Sequence, residues 1–142
     1  MVDAHDRIAK RLTFLAAVLF MLANITGMYV GLAASGSAPG DPHTVLGAHV
    51  VGLLGSLWLL GGAFSLRFTS LSERALEVLS WLFVVPAYGN WLVTSIKAML
   101  HVHGVAMNGS SANDVVFVLL MLLVVLPSLA GGSLWVWALR GR

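Results

Sequence analysis

The chain has 142 residues, of which 58% are hydrophobic and 10% charged, and its mean hydropathy is +0.90. These values lie outside the usual range of soluble globular domains and predict an integral membrane protein. The formal charge of +2 is spread without a polybasic block, so no nucleic acid partner is expected. The lack of cysteine excludes disulfides, thiolate haem ligation and iron–sulfur clusters.

Four apolar stretches are each long enough to cross about 30 Å of hydrocarbon, which takes roughly 20 helical residues. They cover residues 12–34, 45–66, 75–100 and 115–139. The first follows basic residues, as in a signal peptide, but it is too long for a signal sequence and is expected to be retained. The short connections leave no room for another domain. We therefore expect one all-α domain over residues 1–142, an integral membrane four-helix bundle in contact with membrane lipid.

Basic residues predict the orientation of the bundle, because Lys and Arg accumulate on the cytoplasmic side. The first connection has no Lys or Arg, and the third has only Lys97 at its margin. The other seven of the eight basic residues fall on one side: Arg7, Lys10, Arg11, Arg67, Arg74, Arg140 and Arg142. We expect a bacterial-type inner or plasma membrane with both termini in the cytoplasm (N-in/C-in).

The connections carry signals for helix ends. Residues 35–44 are a run of turn formers, which predicts an exposed outer loop. Ser70 followed three residues later by Glu73 fits a capping box, with the third helix beginning near Leu71. After a loop rich in Gly and Asn, Asp114 is well placed at the positive end of the fourth helix.

His49 is the only histidine inside a predicted span, and an intramembrane ionisable residue is by default a functional candidate. Offsets of 3 and 7 place Gly52 and Ser56 on the same helical face. The glycines of this helix make it slim enough to admit a flat ligand, or simply a close neighbouring helix. The alternative for His49 is an imidazole bonded to another helix, or one that reaches the nearby outer interface.

The third helix carries a polar stripe of Asn90, Thr94, Lys97 and His101, whose offsets of 4, 7 and 11 keep them within a band of about 40°. Such a stripe is expected to face the bundle interior or a subunit interface. The alternative is that Lys97 and His101 sit at the outer interface while the other two bond neighbouring helices.

His49 on the second helix and Lys97 on the third are predicted to lie at a similar depth in the membrane. His49 lies about 6 Å inside the outer end of its helix, from the rise of 1.5 Å per residue, and Lys97 is at a similar level. The two are therefore expected to frame one cavity in the outer half of the membrane. Haem b suits this pair, since His49 would take the metal and Lys97 an anionic group. Asn24 and Tyr88 are further candidates for its polar lining.

Across residues 12–139 the chain resembles the styrene oxide isomerase family of small four-helix membrane proteins. The resemblance rests on the length and four spans, on Ala48-His49 near the start of the second helix, on Tyr88-Gly89-Asn90 in the third, and on Asn113-Asp114 opening the fourth. It implies haem b with His49 as axial ligand, isomerisation of small apolar epoxides to aldehydes with the iron as Lewis acid, and a homotrimer.

The chain also departs from that family. An Asn and a Tyr that members place near the haem correspond to Gly55 and Thr94, and an acidic residue before the helix-three Asn corresponds to Pro86. Asn90 is retained. Asn90 and Thr94 are expected to line the substrate side and are the expected catalytic residues. The expected cofactor-binding residues are His49, Gly52, Ser56, Tyr88 and Lys97.

Two other functions remain open. One is a non-enzymatic haem protein, an electron carrier or a haem or gas sensor. It would need a second ligand such as His43, His101 or His103, available only if the outer loops fold inward. The other is a four-helix transporter or scaffold without a cofactor, which the lack of carboxylates deep in the spans disfavours.

Overall fold

The computed structural model describes residues 4–140, and this part of the chain is helical with no strand. The helices are α1 (Ala4–Ala34), α2 (Pro42–Ser65) followed by a 3₁₀ turn (Leu66–Phe68), α3 (Glu73–Leu100), α4 (Ser111–Leu120) and α5 (Leu126–Leu139). A π-helical segment, Met121–Val125, joins α4 to α5 into one continuous fourth span. Residues 1–3, 141 and Arg142 of the predicted domain lie outside the described residues.

Four helical segments are long and apolar enough to cross a membrane: Ala4–Ala34, Pro42–Phe68, Glu73–Leu100 and Ser111–Leu139. This confirms the predicted all-α fold with four spans. The first helix begins eight residues before the predicted start at residue 12, because its polar end is tied to α3. Arg7 forms an ion pair with Glu73, and Arg11 Nη2 lies 2.6 Å from Glu77 Oε2. We call this end of the bundle, where α1 begins and α5 ends, the terminal end.

The core lies mainly between α1, α2 and α3 at the terminal end. Large apolar side chains fill it, including Leu12, Leu19, Leu59, Leu79 and Phe83, all fully buried. Trp58, Phe83 and Trp135 pack edge to face with ring centroids 5.2 to 5.3 Å apart. A smaller cluster of Ala33, Val45 and Ala98 closes the opposite end, which we call the loop end.

At the loop end, Asp41 caps α2. Its carboxylate accepts from the Thr44 hydroxyl at 2.5 Å and from the Thr44 backbone N–H at 2.8 Å. The hydroxyl bond first, and then the backbone bond, lowers the pKa of Asp41 below its ordinary value. Pro42 occupies the first helical turn, where its missing N–H costs nothing.

The predicted capping box of α3 is wrong. The helix begins at Glu73 with Ser72 at the N-cap, and no side chain caps it. Ser70 lies outside the helix, and the carboxylate of Glu73 pairs with Arg7 instead. Asp114 does lie in the first turn of α4, as predicted, where it accepts from the backbone N–H of Asn108 at 2.9 Å.

The α3 helix and the fourth span cross closely at two points. At each point a glycine of one helix faces a backbone carbonyl of the other, and a proline four residues after that carbonyl supplies no N–H to it. Pro86 supplies no N–H for the carbonyl of Leu82, and that oxygen would lie 3.0 Å from a Cβ at Gly131. In the fourth span, Pro127 supplies none for Leu123, whose oxygen would lie 3.1 Å from a Cβ at Gly89. The crossing is therefore fixed by backbone against backbone at both points.

Candidate functional site

The imidazole of His49 is held by α1. Its Nδ1 lies 2.7 Å from the backbone oxygen of Ala23, and because a carbonyl only accepts, Nδ1 carries the proton and donates it. The other ring nitrogen, Nε2, is then the unprotonated one. A histidine fixed through Nδ1–H on a backbone carbonyl has the tautomer that binds a metal through Nε2.

Gly27 provides the space for this ring. A Cβ at position 27 would lie 2.8 Å from both Nδ1 and Cε1 of His49, closer than real Cβ contacts. The half-buried imidazole therefore packs on the bare backbone of α1, one turn beyond the carbonyl to which it bonds. Two residues of α1, Ala23 and Gly27, together fix both the position and the tautomer of His49.

The imidazole borders an open cleft of about 430 Å³ between α1 and α2, which we call the His49 cleft. Asn24 stands beside it and donates its side-chain N–H to the Phe20 carbonyl at 2.7 Å, so its side-chain oxygen stays available as an acceptor. The lining residues are Asn24, Gly27, Met28, Val30, Leu46 and His49. Asn24 is thus a polar residue at the border of the His49 cleft.

Gly52 and Ser56 share the helical side of His49 but face the packed interior. A Cβ at Gly52 would lie 2.8 Å from Ala23 Cβ and 2.9 Å from Trp91 Cδ1, so this glycine lets three helices approach. Ser56 is buried and donates to the carbonyl of Leu53 at 2.7 Å. Neither residue lines the His49 cleft. They belong instead to the packed interior between the helices.

Of the polar stripe of α3, only Asn90 lines a second cleft, of about 340 Å³, between α2, α3 and the fourth span. We call it the Asn90 cleft. It is lined by Val51, Leu54, Gly55, Trp58, Pro86, Ala87, Asn90, Val124 and Ser128. Thr94 lies one turn from Asn90, with the two side-chain oxygens 3.4 Å apart, and its methyl group would be 3.8 Å from a Cβ at Gly47.

Within one chain the predicted common cavity of His49 and Lys97 is not formed. Relative to His49, the α2 residues that line the Asn90 cleft are offset by 2, 5, 6 and 9, which at 100° per residue turns them to the opposite side of the helix. Along α3, the level of His49 is about one turn before Lys97. His49 lies between Gly47, opposite Thr94, and Gly52, opposite Trp91.

Lys97, His101 and Tyr88 lie away from both clefts. Lys97 is half-buried in the last turn of α3, and its carbonyl accepts from the N–H of His101, which ends the helix in a left-handed conformation. The Tyr88 hydroxyl donates to the Leu15 carbonyl at 2.7 Å and so ties α3 to α1. The structure therefore does not bring Tyr88 or Lys97 to the histidine of the same chain.

Sequence reasoning singled out neither Ser128 nor Trp58 as a site residue. Both line the Asn90 cleft. A single serine one residue after a proline has no distinctive pattern, and an aromatic residue in a span is usually a packing or interface residue. The signal that separates them from their neighbours is their hydrogen bonding, which only the structure gives.

Among residues 4–140 no group of three or more His, Asp or Glu side chains is arranged to hold a metal ion. A haem iron needs only one such ligand from the protein. A protein-family model described as styrene oxide isomerase matches residues 8–140, nearly the whole chain. No curated protein and no solved structure matches the chain.

Proposed function

The chain belongs to the styrene oxide isomerase family, and from this premise we propose that it is a multi-pass membrane isomerase that converts small apolar epoxides into aldehydes or other carbonyl compounds, with haem b as its cofactor. The observation that carries the proposal is the His49 imidazole, fixed by Ala23 in the tautomer that a metal requires.

The residues around His49 fit a haem. The ring nitrogen Nε2 is the free one, the cleft beside it is open, and its walls are mostly apolar. At Gly27 the ring packs against bare backbone, with no side chain in that position. His49 would hold the iron, while Gly52 and Ser56 keep its helix packed against α1 and α3.

When bound, haem iron supplies a Lewis acid for the epoxide oxygen. The rest of the reaction is an internal rearrangement: a carbon–oxygen bond opens, a hydrogen moves with its electron pair to the adjacent carbon, and the oxygen becomes a carbonyl. Asn90 has an amide N–H that can donate to that oxygen, and Thr94 lies one turn away to orient the amide. The apolar walls of the Asn90 cleft exclude the water that would otherwise give a diol.

We further propose a homotrimer whose active site is shared between copies. His49 and Asn90 lie at similar depths but on opposite sides of α2. A cyclic oligomer with its axis along the membrane normal keeps every residue at its depth, so the His49 cleft of one copy can face the Asn90 cleft of the next. This arrangement accounts for both clefts being open.

The electron-carrier alternative has less support. His43, His101 and His103 are exposed at the loop end. His43 is six residues from His49 on the same helix, a rise of about 9 Å, too far for both to ligate one iron. We keep the proposal that the termini lie in the cytoplasm of a bacterial-type cell, on the distribution of Lys and Arg alone.

Absorption spectra test the proposal. Protein purified in detergent is expected to show a Soret band that is lost in His49→Ala and retained in His43→Ala. The haem-loaded wild type is expected to convert aryl epoxides to aldehydes, followed by gas chromatography. A Soret band that is unchanged in His49→Ala would overturn the ligand, and fully loaded protein that leaves a panel of aryl and alkyl epoxides intact would overturn the reaction.

A further inference from the structure

The hydroxyl of Ser128 is an exception among the membrane-spanning segments. Every other buried or half-buried Ser or Thr side chain in the described spans makes a hydrogen bond, most of them to a carbonyl three or four residues earlier, as Ser95 does to Trp91 and Thr26 does to Leu22. This local bond is the usual way to satisfy a hydroxyl in a bilayer. Ser128 is half-buried and makes none with residues 4–140.

The indole of Trp58 is a second exception. Trp91 donates its N–H to the Thr26 hydroxyl at 3.0 Å, and Trp135 donates to the Ser65 hydroxyl at 2.9 Å. Trp58 is also half-buried, yet its N–H meets no acceptor in the described part of the chain. Among the described residues, the only fully buried side-chain nitrogen or oxygen without a hydrogen-bond partner belongs to Arg11. The polar atoms of Trp58 and Ser128 also have no partner, so they are not fully buried and are accessible to a ligand.

Glycine contacts give the level of Trp58 in the bundle. A Cβ at Gly55 would lie 3.4 Å from Ala87 Cβ, and one at Gly62 would lie 2.6 Å from Phe83. Since α2 and α3 are antiparallel, Trp58 stands opposite about residue 85 of α3. Its ring packing on Phe83, with centroids 5.2 Å apart, agrees with that level.

The fourth span gives the level of Ser128 in the same way. Gly131 lies opposite Leu82, and Leu123 lies opposite Gly89. Interpolation between these two crossings also puts Ser128 opposite about residue 85 of α3. Trp58 and Ser128 therefore stand at one level, on two different elements that border the same cleft.

Asn90 marks the other end of this cleft. It is about five residues along α3 from the level of Trp58 and Ser128, a separation of about 7.5 Å. The remaining lining residues are apolar. The Asn90 cleft thus has a polar group near the depth of His49, an apolar middle, and two free hydrogen-bonding groups toward the terminal end.

We propose that Trp58 and Ser128 form a second polar subsite, which binds a hydrogen-bonding substituent at the far end of an elongated substrate. The preferred substrate class is then an aryl epoxide whose para position carries a hydroxyl or carbonyl group. Its epoxide lies at Asn90, and a benzene ring bridges a distance of the required order. The indole N–H donates to the remote oxygen, while the Ser128 hydroxyl donates or accepts. This assignment of substrate class rests on the proposed function.

Two ligands of nearly equal shape test the subsite, 4-(hydroxymethyl)acetophenone and 4-ethylacetophenone. Neither is an epoxide, so their binding is independent of turnover. The dissociation constants are measured by calorimetry on the haem-loaded protein in detergent, with a micelle blank. Ser128→Ala is expected to weaken the binding of the hydroxymethyl compound relative to the ethyl compound. The ratio of the two dissociation constants should change by about tenfold from its wild-type value. Trp58→Phe, which keeps an aromatic ring, is expected to shift it in the same direction.

The matched control is Ser133→Ala, an exposed hydroxyl on the same helix, which is expected to leave the ratio unchanged. An unchanged ratio in both Ser128→Ala and Trp58→Phe would overturn the subsite, as would a wild type that binds neither ketone. The same variants assayed with the para-hydroxymethyl and para-ethyl styrene oxides separate the two proposals. If both epoxides are turned over but the ratio of their KM values is the same in the variants as in wild type, the isomerase proposal stands and the subsite is overturned. If the protein discriminates between the two ketones but turns over neither epoxide, the subsite stands and the isomerase proposal is overturned.

Discussion

Gly27 lies directly beneath the imidazole of His49, so that a Cβ at position 27 would come within 2.8 Å of the ring. Gly27→Ala is therefore expected to displace the ring from the Ala23 carbonyl and to weaken haem binding by about 10- to 100-fold, the usual cost of losing the group that orients a metal ligand. The measurement is a haem titration of apoprotein followed at the Soret band.

Gly31→Ala is the control for this substitution, since it lies one turn further along α1 and its Cβ would meet nothing within 4 Å. It adds the same methyl group and the same helix propensity. Equal haem affinity in the two variants would contradict the role given to Gly27.

The shared active site predicts complementation between two inactive variants. His49→Ala removes the histidine, and Asn90→Ala is expected to lower kcat by about 100-fold through loss of one hydrogen-bond donor. In trimers assembled at random from equal amounts of the two chains, about a quarter of all sites combine an intact His49 with an intact Asn90 from the neighbouring copy. Co-expression should therefore restore a corresponding share of the epoxide isomerisation rate.

A mixture made after purification, without subunit exchange, serves as the control and should stay inactive. A site built within one chain gives no rescue under either condition, because every such site then lacks one of the two residues. Absence of rescue in mixed oligomers verified by two affinity tags would contradict the shared arrangement.

The close crossing of α3 and the fourth span predicts a large effect of one methyl group. In Gly131→Ala the added Cβ meets Leu82 Cβ and its backbone oxygen at 3.0 Å, and the backbone has little freedom to move. The expected loss is about 1 to 3 kcal/mol, as for other overpacked sites. Gly132→Ala, with open space at its Cβ, is expected to be neutral or slightly stabilising. Thermal unfolding in detergent, followed by circular dichroism, compares the two, and similar melting temperatures would refute the crossing.

The cap of α2 predicts a dependence on pH. The bonds from Thr44 lower the pKa of Asp41 below its ordinary value of 3.8, so the cap stabilises the fold above pH 3.8 and its contribution is lost as the pH falls through the lowered pKa. Asp41→Ala should therefore reduce the melting temperature at pH 7 and make little difference at a pH well below the lowered pKa of Asp41. Hydrogen exchange at the first turn of α2 locates the effect, and a difference that persists in acid would argue against the cap.

Much of the fold could be predicted because the bilayer sets the length of each span. The start of α1 could not, since its polar first turns are held by Arg7 and Arg11 through carboxylates on α3, and such pairings between distant segments leave no mark in a local pattern. The capping signal at Ser70 failed for the same reason, because Glu73 has another partner.

For the site, the sequence allowed a prediction of the depth of His49 in the membrane, but not of the side of α2 that packs against α1. The rise along α2 and α3 predicted that His49 and Lys97 lie at a similar depth, whereas His49 lies opposite the part of α3 between Trp91 and Thr94. Which side of α2 packs against α1 depends on the close approach of Gly52 to Ala23 and Trp91, and periodicity alone does not reveal that choice. The haem, the trimer and the role of Lys97 stay predictions.

The two crossings of α3 with the fourth span also bear on the order in which the helices assemble. Pro86 and Pro127 each leave a carbonyl without its usual helical donor at mid-membrane, and a lone helix would turn that oxygen toward lipid at a cost. Facing each oxygen with a glycine of the partner helix shields both at once. We therefore expect α3 and the fourth span to leave the insertion machinery as a hairpin that is already paired, onto which α1 and α2 then close.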